Sequence, residues 1–282
     1  MKRAIGYTVF ALLVLLVSVS YQVAASPKSV LVPYQANKLI AKSDPPALSV
    51  SAYAIFDIET GEIISGFNDE AVFPIASVTK LITAAATIEK LPKEKEATII
   101  YRDVAEDGRS GRLSVGQKYT AHELLFPLLL ESSNDAAVAL ERLADGALVK
   151  EMNELVEEAG AKDMVLSDTS GLSTGNIATA RDLATVSSYL YKTEPHIFDI
   201  TRLSKRAGPY GGWTNNSPVL EANYRGGKHG YTQAAKRTVV ALYEEGFPAG
   251  KKTIGYVLLG SENLASDMEK LRLYVAQSVS LE

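Results

Sequence analysis

Apolar and polar residues change their period several times along this chain. From Leu48 to Asp57 they alternate, with Val50, Ala52, Ala54 and Phe56 on one side and Ser49, Ser51, Tyr53 and Ile55 on the other, the period of a strand. Glu59-Thr60-Gly61 is a turn signal, and Glu62–Phe67 reads as the returning strand of a hairpin. The middle of the chain is helical. Ser77–Leu91 is rich in Ala, Leu and Ile and ends at Pro92. A short strand is predicted over Thr98–Val104. Thr120-Ala121-His122-Glu123 has the form of a capping box and opens a helix to Glu131. Asn134 or Asp135 is placed to cap a helix through Ala144. Leu148–Ala159 forms another, stopped by Gly160, and Thr179–Tyr191 a further one. Near the end, Lys236–Glu244 and Thr253–Leu259 are strand-like around the turn Gly246–Gly250. Ser261–Val279 reads as an amphipathic helix capped by Ser261-Glu-Asn263. Strands at both ends and helices between them predict one sheet closed by the two ends, with a helical insertion: an α+β fold.

The first residues add a targeting signal. Lys2 and Arg3 precede an uncharged run from Ala4 to Pro27, apolar at its centre, with Val23-Ala24-Ala25 offering small residues for a cut after Ala25. The run is also near the length that spans a bilayer, so residues 1–25 are expected to be a signal peptide or an uncleaved anchor. Residues 26–46 are rich in proline without a clear period and are expected to be a linker, with one domain over 47–282. The 282 residues are 46% hydrophobic and 22% charged, enough apolar mass for a core. The net charge of −4 excludes the basic footprint of a nucleic-acid binder. Cysteine is absent, which excludes disulfides, thiolate metal sites and a cysteine nucleophile.

Three short patterns carry candidate chemistry. Ser77-Val-Thr-Lys80 is the only Ser-x-x-Lys in the chain. Residues three apart share a helix face, so the Lys80 amine is in reach of the Ser77 hydroxyl, which needs a base to act as a nucleophile. Lysine serves as that base only when burial or a nearby cation lowers its pKa. Ser132-Ser133-Asn134 lies between two helices, where Ser132 could relay a proton and Asn134 hold a substrate amide; helix capping explains the same residues without chemistry. Lys228-His229-Gly230, flanked by Gly226-Gly227 and Tyr231-Thr232, would form a strand edge that aligns a substrate, with Lys228 facing its carboxylate and acting as the second cation beside Lys80. Each pattern alone is weak; their conjunction in this order is not.

In that order and spacing, the three resemble the penicillin-binding and serine β-lactamase superfamily. Phe73–Ala84 and Leu125–Ala137 are similar to the nucleophile and second segments of low-molecular-mass D-Ala-D-Ala carboxypeptidases. Met152-Asn153, Asp168–Leu172 and Thr179–Leu183 resemble their helical region, and the likeness runs from about Ser49 to Leu259. The resemblance implies a β-lactamase/transpeptidase-like fold: a five-stranded antiparallel sheet flanked by helices, plus an all-helical subdomain, with the site between them. It implies an acyl-enzyme on Ser77 with Lys80 and Ser132 as catalytic partners. Asn134, Lys228, His229, Gly230, Tyr231 and Thr232 would bind substrate, and the Ser77 and Tyr231 amides would form an oxyanion hole. The implied partners are peptidoglycan stem peptides, β-lactams as covalent inhibitors, and a membrane if the N-terminal segment stays attached. No metal or cofactor is called for, and the implied location is the extracytoplasmic face of the membrane or the cell envelope.

The family usually has Thr where His229 stands, which leads us to expect weaker or pH-sensitive carboxylate recognition. Gly211–Asn216 is not a close match and is expected to be a plain loop. His122 and His196 are expected to be structural or surface residues. A β-lactamase reading lacks a Glu-x-x-Leu-Asn after Ser-x-Asn. A D,D-endopeptidase shares every motif, and a non-catalytic peptidoglycan-binding protein would have no use for the intact set.

Overall fold

The computed structural model describes residues 38–105, 108 and 110–281. The expected signal segment and most of the expected linker lie outside them. Five strands, β1 (Ala52–Asp57), β2 (Ile63–Phe67), β3 (Tyr224–Thr232), β4 (Lys236–Phe247) and β5 (Gly250–Ser261), form one sheet in the order β3-β4-β5-β1-β2. Every neighbouring pair is antiparallel. The first hairpin meets the last strands through the β1–β5 pairing, which joins the two ends of the chain as the strand pattern predicts.

The alternation in β1 divides its side chains between two cores. Ala52, Ala54 and Phe56 face a helical layer made from α1 (Lys80–Lys90), α2 (Ala121–Leu130), α3 (Asn134–Leu143), α4 (Leu148–Ala159), α5 (Ala180–Thr193) and α6 (Pro195–Thr201). Tyr53 and Ile55 face the opposite layer, where α7 (Leu264–Ser278) contributes Leu264, Met268, Leu271 and Val275. Both faces of the strand are therefore buried, and Ala52, Ala54, Ile55 and Phe56 have no exposed area. Buried Asp267 ties the layers, accepting from Ser49 N at 2.9 Å and from the hydroxyls of Ser49 and Ser261 at 2.6 and 2.7 Å.

Local signals place most helix ends. Thr120 accepts from Glu123 N at 3.1 Å while the Glu123 carboxylate accepts from Thr120 N at 2.8 Å, the predicted capping box. Thr179 and Asp182 cap α5 in the same way. Gly160 ends α4 at φ +84. Asn263 accepts from Ser266 N at 3.3 Å and caps α7.

Several expectations are corrected. The strand predicted over Thr98–Val104 is a strand only at Glu96–Thr98, followed by a 3-10 turn at Tyr101–Val104, because buried Asp103 accepts from Ile100 N and from Arg142. The cap of α3 is Ser133, which accepts from Ala136 N at 3.0 Å, rather than Asn134 or Asp135. The turn expected at Gly246–Gly250 shortens to Pro248-Ala249, since β4 and β5 pair as far as Phe247 and Gly250. Within the expected linker, Leu39–Ala41 pairs antiparallel with Val279–Leu281 and packs Leu39 against the α7 layer. Gly211–Asn216 is no plain loop: Gly211–Thr214 pairs with Lys205–Gly208 as a hairpin.

Candidate active site

The nucleophile candidate sits on a tight turn. Ala76–Thr79 is a 3-10 helix running into α1, so Ser77 precedes the α-helix proper; the three-residue spacing to Lys80 survives because the 3-10 helix eclipses positions i and i+3. Ala76, directly before Ser77, has φ +49, a left-handed conformation that a non-glycine residue holds only when its surroundings over-determine it. Those surroundings are visible. Ile75 N donates to Asn176 O at 3.0 Å, and Thr238 of β4 donates to Ile75 O at 2.9 Å. Ser132 is the second left-handed residue at the site, with φ +60 in the bend between α2 and α3. The Glu131 and Ser133 amides both donate to Pro127 O, at 3.2 and 3.0 Å, closing α2 so that Ser133 caps α3 and Asn134 faces inward.

Lys80 is fully buried, and its Nζ lies 3.0 Å from Ser77 Oγ and 2.8 Å from Asn134 Oδ1. It also donates to Ser170 O, the backbone acceptor that Ser77 Oγ approaches at 3.4 Å. Burial pushes the Lys80 pKa down to about 7, against the attraction of Asp168. The amine is thus about half neutral at pH 7, as a general base requires.

Lys228 is also buried, and its Nζ donates to His229 O at 2.6 Å. Burial first, and repulsion from Lys80 second, hold its pKa well below the usual lysine range. The expectation that Lys228 supplies the shift at Lys80 is therefore revised. Burial dominates at both lysines, and their repulsion is felt chiefly at Lys228. His229 is half-buried, and burial with the two lysines drives its pKa to about 3. Its imidazole is neutral near pH 7, which argues against a protonated His229 as the source of pH-sensitive recognition.

Gly230 backs onto the nucleophile. A Cβ there would lie 2.6 Å from Ser77 N and 2.9 Å from Ala76 Cβ, closer than real side chains pack. Gly230→Ala should lower the second-order rate of acylation by a labelled penicillin about 100-fold, because an ångström-scale shift at the reacting atoms has that effect. A smaller loss than tenfold would mean the turn adapts.

The remaining expected residues divide. Tyr231 is exposed, with the Arg237 guanidinium 5.6 Å over its ring. The Thr232 hydroxyl accepts from Ala235 N at 3.0 Å and closes the β3–β4 turn. The Gly211–Asn216 hairpin braces the Ser132 bend: Asn216 N donates to Leu130 O at 3.0 Å, and Thr214 N to the Glu131 carboxylate at 2.9 Å. Trp213 is buried behind it, its Nε1 donating to Gly111 O at 2.9 Å. His122 and His196 stack at 5.3 Å and line a separate cavity of 320 Å³ with Leu91 and Leu125. Among the described residues, no group of three or more His, Cys, Asp or Glu side chains is placed to hold a metal.

The sequence reading quoted Asp168–Leu172 as part of the resemblance but gave the loop Asp168–Ser173 no role at the site. Ser170 contributes a backbone carbonyl, which its residue type does not announce. Asp168 accepts from Ser170 N at 2.7 Å, Ser170 Oγ at 3.0 Å, Gly171 N at 2.6 Å and Ser173 N at 2.6 Å. The Asp-x-Ser-Gly spacing is a turn signal that could have marked this loop, though not where it lies.

An antiparallel sheet between a helical layer and a single helix, with a Ser-x-x-Lys turn set against a strand-borne Lys-x-Gly, defines the penicillin-binding class of proteins. The sequence profile of the D-alanyl-D-alanine carboxypeptidases matches residues 38–258, and the chain belongs to that family. It is 28% identical to the carboxypeptidase DacB2 of Mycobacterium tuberculosis over 69% of this chain and 70% of that protein. It is 34% identical to the D-alanyl-D-alanine endopeptidase of Pseudomonas aeruginosa over 48% of this chain, spanning 46% of the endopeptidase. The crystal structure of a D-alanyl-D-alanine carboxypeptidase from M. tuberculosis superposes with a TM-score of 0.76 at 23% identity, over 83% of this chain and 93% of that one, which establishes the shared fold.

Proposed function

We propose that this protein is an exported serine D-alanyl-D-alanine carboxypeptidase that acts on peptidoglycan stem peptides through an acyl-enzyme on Ser77. The observation that carries the reading is the Lys80 amine, fully buried, 3.0 Å from Ser77 Oγ and with a pKa lowered to about 7. Neutral Lys80 takes the Ser77 proton as Oγ attacks the carbonyl of the penultimate D-alanine. The resulting oxyanion is received by the Ser77 and Tyr231 amides. The C–N bond then breaks, and the leaving amine takes the proton back from Lys80 by way of Ser132. Free D-alanine departs, and water cleaves the ester, restoring the Ser77 hydroxyl.

Lys228 gives the site its response to substrate. Charge on one of the two buried lysines disfavours charge on the other. A terminal carboxylate beside Lys228 favours that lysine's charged form, and the charge in turn keeps Lys80 neutral. Neutral His229 has an N–H to give the same carboxylate. His229→Thr is expected to leave the pH profile of acylation unchanged in shape between pH 5 and 8, with an acid limb near pH 7 set by Lys80 in both proteins. A limb that moves by more than half a unit would restore His229 as the titrating group.

Intact mass after exposure to a labelled penicillin, with D-alanine release from a stem pentapeptide, tests the activity. An enzyme that takes no adduct and releases no D-alanine would overturn it. The kinship with the P. aeruginosa endopeptidase supports a second reading, cleavage of D-alanyl cross-links by the same acyl-enzyme. Cross-linked dimers cut faster than pentapeptide would favour it.

A further inference from the structure

Resting on that reading, we propose that Asp168 is a positioning residue for the reaction: it holds the Ser170 carbonyl where it orients the Lys80 amine against Ser77, and its carboxylate supplies the negative charge that sets how readily Lys80 takes up a proton. The loop Asp168–Ser173 is thus a third arm of the site, beside the Ser77 turn and the Lys228 strand.

The geometry runs from the carboxylate to the reacting atoms in two steps. Asp168 Oδ1 gathers Ser170 N, Ser170 Oγ and Gly171 N, while Oδ2 takes Ser173 N. These bonds turn the backbone so that Ser170 O accepts from Lys80 Nζ, with Ser77 Oγ 3.4 Å away. The arm is pressed against the nucleophile. Gly171 has φ +82, and a Cβ there would lie 2.1 Å from Ala76 O and 2.9 Å from Ser77 N. The helical side is fixed as well, since Thr83 of α1 donates to Thr169 O at 2.8 Å. A carbonyl held from both sides cannot follow the lysine, so the lysine must come to it.

The second half concerns charge. Asp168 faces Lys80 from this loop, with Lys228 and His229 facing it from β3. Asp168 is the negative group among them, and its attraction opposes the desolvation that lowers the Lys80 pKa. Burial works to protonate Asp168, but its four hydrogen bonds prevail and keep its pKa below the usual carboxylate range, so it is charged whenever Lys80 titrates. The charge balances the base. Without it Lys80 would be neutral over a wider pH range but a weaker proton acceptor, with its carbonyl guide displaced.

Asp168→Asn keeps the acceptor at Oδ1 and removes the charge, and Asp168→Glu restores the charge on a longer arm. The experiment follows the Lys80 Nζ resonance through a pH titration by NMR, assigned with Lys80→Arg, and in parallel the pH profile of penicillin acylation. In Asp168→Asn the Lys80 midpoint should fall by at least about half a unit, because the variant removes the attraction that raises the Lys80 pKa. The acylation limb should move with it while the plateau rate drops about tenfold or more. Asp168→Glu should return the midpoint toward the wild-type value. A midpoint unchanged in Asp168→Asn would overturn the proposal whatever the rate does, since a merely structural loop anchor would lower the rate and leave the midpoint in place. The NMR reading needs no turnover, so it stands even if the wild type takes no penicillin, an outcome that would sink the proposed function instead.

Discussion

Ser77→Ala is expected to abolish the covalent penicillin adduct and to lower D-alanine release by about 10⁴-fold or more, the scale of losing a catalytic nucleophile. The fold should be indifferent to the change. Ser77 is half-buried, its hydroxyl makes, among the described residues, a long 3.4 Å contact to Ser170 O besides the Lys80 pairing, and the Ala76–Thr79 turn is held from outside by Thr238 and Asn176. Intact mass and a thermal melt on one sample separate the outcomes. A variant that melts like the wild type and still gains one adduct would move the nucleophile elsewhere.

Lys80→Met has the second large effect, and it acts on two quantities. Acylation should fall by about 10³–10⁴-fold, since Lys80 is the amine hydrogen-bonded to Ser77 Oγ. Stability should change its pH dependence. The Lys80 pKa is 10.5 when unfolded and about 7 when folded. Between those values the unfolded chain binds the proton more readily, so wild-type stability rises from pH 7 to pH 10.5. At about 1.4 kcal/mol per pKa unit, the rise from this one group has a ceiling of roughly 5 kcal/mol. Lys228 adds a slope of the same sign that remains in the variant, so the difference between the two curves reads Lys80 and its repulsion of Lys228. Denaturant titrations at pH 7 and pH 9.5 measure it. Parallel curves for the two proteins would mean that Lys80 is charged in the folded state and is no base.

Much of the fold was legible where a local rule and the tertiary structure agree. The β1 alternation, the Glu59–Gly61 turn, the Thr120–Glu123 capping box and the Gly160 stop are each set by residues within a few positions of one another. What escaped depends on distant partners. Leu39–Ala41 looks like linker until Val279–Leu281 pairs with it, more than two hundred residues away. Asn134 has every feature of a helix cap, but Ser133 takes that role and Asn134 reaches Lys80. At the site, side-chain chemistry was readable from Ser77, Lys80 and Lys228, because nucleophile, base and cation are tied to residue types. The Ser170 carbonyl was not, because every residue has one and only the loop's position makes it part of the site. The character of His229 was not readable either. A histidine beside two lysines looks like a third cation, and burial makes it neutral.

β3 is an outer strand of the sheet, with β4 on one side only. An outer strand leaves backbone groups open to a neighbouring copy of itself. The residues along β3, Tyr-Arg-Gly-Gly-Lys-His-Gly-Tyr-Thr, include three glycines, two cations and a single β-branched residue, at its end. Such a strand pairs poorly with its own likeness. Gly226, Gly227, Lys228 and Gly230 thus make β3 a poor template for edge-to-edge pairing with a second copy of the chain.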